Sequence, residues 1–228
     1  MIHKGLLNMV MCMNRNLKII ICWLFLLTCT GTGTLCLFAE NPLQRLVEGN
    51  ERYMHSTTSY AKDWDIKRSS LIQKQTPFAV IVCCSDSRVP PEIIFDQSLG
   101  DLFVIRIAGN VVDDFALGSI EYALSVLNAP LIMVLGHAKC GAVEAALTGA
   151  KFDNHIQNIV RAIEPAVKSV KDEPADERLE KAIKANVRNV IAQIKSAQPT
   201  IAPLVLKNSV HIVGGYYKLD SGRVELIN

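Results

Sequence analysis

The chain has 228 residues, of which half are hydrophobic, and this composition fits a single globular domain with a sizeable core. Its 24 basic and 22 acidic residues give a formal net charge of +2 at neutral pH. This near balance implies no basic face for nucleic-acid binding.

Residues 1–39 predict a signal peptide. They carry three basic residues and no acidic one, and an apolar run covers residues 19–27. A cleavage site is predicted after Ala39, so that residues 40–228 form the mature domain. The sequence therefore predicts an exported protein, either periplasmic or secreted, with no membrane attachment once the signal peptide is removed.

Two other interpretations of this segment stay open. The first is an uncleaved anchor, although the apolar run is short for a membrane span and residues 28–34 interrupt it. The second is a lipoprotein signal at Cys29, whose flanking residues match the motif imperfectly. The start of translation is also open, because Met13 could be the initiator.

Cleavage would leave three cysteines, Cys83, Cys84 and Cys140, in a domain of net charge −1. Three cysteines do not make a disulfide framework. Zinc coordination is one way in which an exported protein keeps thiolates occupied in an oxidising compartment. The alternative is that each cysteine is a small buried hydrophobic residue.

The elements of the domain alternate between helices and strands. Residues 42–54 predict an amphipathic helix capped by Asn41, and residues 55–76 a loop or a short helix. Short apolar runs predict core strands, and helical spacing predicts the helices between them. The predicted strands are 78–83, 102–108, 131–136 and 210–219, and the later helices are 89–95, 116–127, one from Cys140, 154–170, 176–196 and 199–206.

This alternation predicts an α/β fold with a mostly parallel central sheet flanked by helices. Asp220-Ser221-Gly222 predicts a turn into a last strand over 223–227, which gives the sheet an antiparallel C-terminal edge hairpin. Neither an internal repeat nor a second domain is indicated.

The polar residues that follow two of these strands predict a metal site. Cys83 and Cys84 end the first strand, and His137 and Cys140 follow the third. Chemistry in a parallel sheet gathers at the carboxyl ends of neighbouring strands. Two thiolates and an imidazole are a ligand set for catalytic zinc with one position open.

Three segments, taken in order, resemble the β class of carbonic anhydrases. They are Cys84-Ser85-Asp86-Ser87-Arg88, residues 104–110 and residues 136–142, and the likeness extends to 215–217 and 222–224. It covers nearly all of residues 41–228. The resemblance implies one Zn²⁺ per subunit on Cys84, His137 and Cys140, with Cys83 a thiol of the core.

The resemblance also implies an activity, the reversible hydration of carbon dioxide to bicarbonate and a proton by zinc-bound hydroxide. Asp86 and Arg88 would form the catalytic dyad, in which the carboxylate accepts the hydrogen bond of the hydroxide while the arginine clamps the carboxylate. If the clamp is released, Asp86 becomes the fourth zinc ligand of a closed state. The expected apolar substrate pocket is lined by Val89, Gly109, Asn110 and Gly141.

The sequence leaves several points open. Ile107 and Ser98 depart from residues that many relatives carry, and no histidine has a spacing that identifies it as a proton shuttle. A zinc-binding homologue locked closed by Asp86 is the main alternative, and a thiol redox protein using Cys83 and Cys84 is the second.

The apolar surface of the first helix, together with the resemblance, predicts a homodimer or a higher homo-oligomer.

Overall fold

The computed structural model describes residues 41–59 and 64–227, so the predicted signal peptide, Met13 and Cys29 lie outside the described residues. The helices are α1 (Pro42–Met54), α2 (Trp64–Ser70), α3 (Pro91–Ile94), α4 (Asp114–Ser125), α5 (Gly141–Leu147), α6 (Ile156–Ser169), α7 (Arg178–Ser196) and α8 (Ile201–Leu206). The strands are β1 (Ala79–Cys83), β2 (Leu102–Arg106), β3 (Leu131–His137), β4 (His211–Tyr217) and β5 (Val224–Ile227). Within these two stretches no helix combines the length and the apolar character that a membrane span needs.

The five strands form one sheet in the order β2-β1-β3-β4-β5. The first three pairings are parallel, and β4 pairs with β5 in antiparallel fashion. The predicted α/β fold with its antiparallel edge hairpin is therefore confirmed. Gly222, at φ +75°, belongs to the turn that connects β4 to β5.

The central strands are buried on both faces because helices cover both sides of the sheet. All five residues of β1 and all seven of β3 are buried. Alternate residues of β1 enter two different core clusters: Ala79 and Ile81 pack in one, and Val80 and Val82 in the other. This is why the strands have continuous apolar runs rather than alternating polarity.

The second strand ends earlier than the sequence predicts. β2 stops at Arg106, and Ala108–Asn110 forms a 3₁₀ turn. Gly109 has φ +67°, and a Cβ atom there would lie 2.7 Å from Cδ1 of Ile163. The chain therefore turns at Gly109, because only glycine fits both that conformation and that close approach.

The helix α1 packs against its own domain. Leu46 is fully buried, and a Cβ on Gly49 would overlap the carbonyl oxygen of Phe95 at 1.8 Å. The side chain of Asn50 donates to the carbonyl oxygens of Ile94 (3.1 Å) and Gly222 (2.8 Å). It also accepts the N–H of Val224 at 2.8 Å, so α1 is fixed to the C-terminal hairpin.

Candidate metal centre

The strand order brings the predicted ligands together. β1 and β3 are parallel neighbours, with Cys83 opposite Leu135, so Cys84 and His137, one and two residues further on, both lie at the carboxyl edge of the sheet. Cys84, His137 and Cys140 are all buried, and one ligand atom from each lies within 4.8 Å of the others. The three residues that the sequence selects therefore form a cluster that could hold a metal ion.

A tight turn after β3 places two of these ligands. Lys139 has φ +54°, a left-handed conformation that is costly for a residue with a side chain. The turn brings Cys140 back beside His137, and α5 then begins directly after Cys140.

The chemistry of the donors fits a metal such as zinc. The Nδ1 of His137 lies 3.0 Å from the carbonyl oxygen of Ala138, which accepts its proton and leaves Nε2 with a lone pair. Within residues 41–59 and 64–227, two buried side-chain nitrogen or oxygen atoms have no hydrogen-bond partner. They are this Nε2 and Nδ2 of Asn110. A buried, unpaired imidazole nitrogen facing two sulfur atoms is the arrangement of a metal ligand.

The two thiols differ in their proton affinity. Hydrogen bonding with the Cys140 thiol lowers the pKa of Cys84, and the backbone N–H of Gly109, 3.2 Å from Sγ, contributes in the same direction. The same contact with Cys84 raises the pKa of Cys140. The site therefore stabilises a thiolate on Cys84, the form that binds metal ions.

The neighbouring cysteine has a different environment. Cys83 is fully buried as the last residue of β1, and burial raises its pKa to about 12. A protonated thiol in an apolar core is a poor ligand. The candidate metal-binding group among the described residues includes Cys84 and not Cys83.

Asp86 and Arg88 form a two-point ion pair at the mouth of the cluster. Nε of Arg88 donates to Oδ1 of Asp86 at 2.9 Å, and Nη2 donates to Oδ2 at 2.7 Å. The side chain of Asp86 is 18% exposed, and its Oδ2 lies 3.9 Å from Nε2 of His137. Hydrogen bonding from Arg88 holds the pKa of Asp86 well below its usual range, so the carboxylate is ionised at neutral pH.

The predicted pocket residues lie in different environments. Val89 and Asn110 are each 1% exposed, and Gly109 is also buried. The N–H of Gly109 is directed at Cys84, so it serves the ligand. Gly141 is exposed at the first position of α5, and its role as a substrate donor stays a prediction.

Two residues that support the site were not identified from the sequence. Arg106 donates from Nε and Nη2 to the backbone carbonyl oxygens of Cys84 and Asp86. Asn186, 1% exposed on α7, donates to the carbonyl oxygen of Gly109 at 2.8 Å. For Asn186 the sequence contains a signal that could have identified it. A lone amide lies between Ile183 and Val190 on the apolar face of a helix, where it needs a hydrogen-bond partner.

Known proteins are similar in sequence to this chain over most of its length. The family model described as "Carbonic anhydrase" matches residues 79–224. "Carbonic anhydrase 2" of Mycobacterium tuberculosis is 41% identical over 185 residues, which cover 79% of this chain and 89% of that protein. The carbonic anhydrase of Mycolicibacterium smegmatis is 40% identical over 82% of this chain and 94% of its own length.

Solved structures with the same fold carry the same family name. The β-carbonic anhydrase CcaA superposes with a TM-score of 0.68 at 26% identity, over 82% of this chain and 96% of that one. A Coccomyxa β-carbonic anhydrase in complex with acetazolamide gives a TM-score of 0.67 at 25% identity, over 81% and 86% of the two chains. With the sequence match and the cysteine–histidine–cysteine cluster, these likenesses show that the chain belongs to the β class of carbonic anhydrases.

Proposed function

We propose that the enzyme catalyses the reversible hydration of carbon dioxide to bicarbonate and a proton, with one zinc ion per subunit held by Cys84, His137 and Cys140. The observation that carries the proposal is the convergence of these three ligand atoms within 4.8 Å, with Nε2 of His137 unpaired. Zinc bound there would supply Lewis acidity that lowers the pKa of water toward neutrality.

The other residues of the site supply a hydrogen-bond acceptor, orient it, provide apolar surface and hold the Cys84 ligand in place. Asp86 is an ionised hydrogen-bond acceptor beside the cluster, and Arg88 fixes the direction of both carboxylate oxygens. Val89 supplies buried apolar surface of the kind that a small apolar substrate requires. Gly109 holds the sulfur of Cys84, and Asn186 in turn holds Gly109.

Zinc stoichiometry measured together with stopped-flow carbon dioxide hydration tests this proposal. We expect Cys84→Ala and His137→Ala to lose zinc and activity together, and a zinc chelator to abolish activity of the unmodified enzyme. Cys83→Ala is the matched control, and it should keep both because Cys83 packs in the core. Zinc retention by Cys84→Ala with loss in Cys83→Ala would contradict the ligand assignment.

A second function, zinc binding without catalysis, is favoured by one distance. Oδ2 of Asp86 lies 3.9 Å from Nε2 of His137, so the carboxylate is within reach of the cluster. In this alternative Asp86 closes the site permanently. Full zinc content with no hydration activity at any pH would support it, and activity at any pH excludes it.

We also propose that the enzyme is at least a homodimer. Its support is an exposed apolar surface on α4 and just after it, beside the edge strand β2, where Phe115 is 88%, Tyr122 47% and Val126 59% exposed. Contiguous apolar surface of this kind is typical of protein interfaces. Sedimentation velocity should show an oligomer that Phe115→Asp weakens, whereas a stable, active monomer would rule the proposal out.

Export is proposed from the composition of residues 1–39. We infer cleavage after Ala39 and release into the periplasm or the medium. Mass spectrometry of the amino terminus of the exported protein should give a chain that starts at Glu40. An intact leader in the membrane fraction would indicate an anchor, and a lipid-modified Cys29 would indicate a lipoprotein.

A further inference from the structure

Arg106 connects the second strand to the loop that carries the first predicted ligand. It is the last residue of β2, opposite Cys83 of β1. Its Nε donates to the carbonyl oxygen of Cys84 at 3.1 Å, and its Nη2 donates to that of Asp86 at 2.6 Å. One guanidinium group therefore holds the backbone at two alternate residues of this loop.

These two hydrogen bonds act on the loop and are not needed for the sheet. β1 and β2 pair through backbone groups along their whole length, from Ala79 opposite Leu102 to Cys83 opposite Arg106. The backbone N–H of Ile107 extends this pairing by donating to the carbonyl oxygen of Cys83 at 3.0 Å. The strands can therefore stay paired with another side chain at position 106.

Among the described residues, the backbone of this loop takes part in few other hydrogen bonds, although the N–H of Gly109 also holds Sγ of Cys84 at 3.2 Å. Residues 84–86 belong to no helix or strand, and the carbonyl oxygen of Asp86 accepts one further hydrogen bond, from the N–H of Val89 at 3.1 Å. Arg88 fixes the carboxylate of Asp86, but it is attached to the same short loop. Arg106 is the arginine that anchors the loop from a separate, rigid element.

We propose that Arg106 is a positioning residue, which fixes the backbone from Cys84 to Asp86 so that the sulfur and the carboxylate are directed at the same point. This inference rests on the proposed function and extends it to a residue that is neither a metal ligand nor a substrate contact. Arginine is required because its planar fork reaches both carbonyl oxygens at once, whereas lysine offers one point charge.

The test compares Arg106→Lys and Arg106→Gln with a matched control, Arg178→Lys. Arg178 also donates from Nε and Nη2 to a backbone carbonyl oxygen, that of Glu173, at 3.1 and 2.8 Å, but in the segment before α7. We expect both Arg106 variants to lose about 10- to 100-fold in kcat, because small misplacement of reacting groups is costly. We expect KM to change by less than about threefold and the control to stay within about twofold of the unmodified enzyme.

A spectroscopic readout separates positioning from folding. In the cobalt-substituted protein, the absorption of cobalt bound to thiolate should shift in both Arg106 variants and stay unchanged in Arg178→Lys, at similar melting temperatures. Unchanged kcat in Arg106→Lys and Arg106→Gln would overturn the proposal. So would an activity loss that follows the loss of folded protein, with an unaltered cobalt spectrum in the folded fraction.

The same measurement distinguishes this proposal from the proposed function. If the unmodified enzyme binds zinc but does not hydrate carbon dioxide, the proposed function fails. The cobalt spectrum needs no turnover and still decides the role of Arg106. A shifted spectrum in its variants would then support positioning of the ligand loop, and an unshifted one would overturn it.

Discussion

Two aspartate–arginine pairs lie in different regions of the molecule and act in different ways. Asp86 and Arg88 belong to one loop at the mouth of the metal cluster, where the arginine is 51% exposed. Asp96 follows α3, and it pairs with Arg52 of α1 at 2.5 Å. The first pair orients groups within one loop, whereas the second connects two elements that are distant in the sequence.

The degree of burial separates the two acids. The side chain of Asp96 is fully buried, and its oxygens also accept from the N–H and the hydroxyl of Ser59 at 2.7 and 3.0 Å. The side chain of Asp86 is 18% exposed and lies 3.9 Å from His137. The same ion pair chemistry thus serves packing where the acid is enclosed, and under the proposed function it serves the reaction where the acid faces the cluster.

The largest effect is expected from Asp86→Asn. The amide keeps the shape of the side chain but removes the charged acceptor, so kcat/KM should fall about 10³-fold, equivalent to about 4 kcal/mol in the barrier. The melting temperature should change little because the loop is partly exposed. Stopped-flow hydration and calorimetry measure the two quantities. Activity within tenfold of the unmodified enzyme would remove Asp86 from the proposed dyad.

The second-largest effect is expected from Asp96→Ala, and it should be an effect on the stability of the fold. Arg52 and the backbone of Ser59 would lose a buried acceptor, so the free energy of unfolding should fall by about 3 kcal/mol. Urea denaturation measures this loss, and zinc per folded chain should stay unchanged. Asp96→Asn is the control, since asparagine also tolerates the φ of +47° found there and should lose less. A loss of activity without a loss of stability would contradict the comparison.

The arginine partners sharpen the comparison with smaller effects. Arg88→Lys replaces a two-point clamp with a single charge, and kcat/KM should fall about tenfold with unchanged stability. Arg52→Lys should lower the free energy of unfolding by about 1 kcal/mol with unchanged kcat/KM. Both variants should be measured for activity and for stability. Loss of stability in Arg88→Lys together with loss of activity in Arg52→Lys would mean that the pairs have been assigned the wrong roles.

The smallest effect is expected from Lys139→Gly. The carbonyl oxygen of Lys139 accepts from Nη2 of Arg88 at 3.3 Å, and its φ is +54°. Glycine removes the strain of this conformation in the folded state, but it also increases the entropy of the unfolded chain. Because the first effect is the larger, the free energy of unfolding should rise by about 0.5 kcal/mol. Activity should hold because the backbone is kept. Asn208→Gly, at the same φ, should gain less because asparagine tolerates it; equal gains would contradict the strain at Lys139.

Local patterns in the sequence were sufficient for the fold, and they indicated the edge of the sheet at which the candidate ligands lie. The strands β1 and β3 are buried on both faces, so they appear as continuous apolar runs, and the residues after them mark the edge of the sheet. The motifs of the resemblance then distinguished Cys84 from Cys83. The structure adds a difference between their environments: the Cys140 thiol lowers the pKa of Cys84, whereas burial raises the pKa of Cys83.

The partners of the supporting residues could not be predicted, because their contacts are long-range and several of them end on backbone atoms. Arg106 ends a strand that is otherwise apolar, yet nothing in the sequence says which carbonyl oxygens it reaches. The pairing of Asp96 with Arg52 depends on how α1 docks, and the apolar face of that helix is equally consistent with a partner subunit. Helical spacing indicates that a face is buried but not which surface buries it.

The hydrogen bonds of Asn50 have a consequence for biosynthesis. Its partners Gly222 and Val224 lie 172 and 174 residues further along the chain. At common rates of translation the ribosome needs roughly 10 to 30 s to make that stretch. Asn50 reaches Ile94, only 44 residues further along, much earlier. The helix α1 therefore docks in two stages, and its contact with the hairpin forms only after the carboxyl end of the chain has been synthesised.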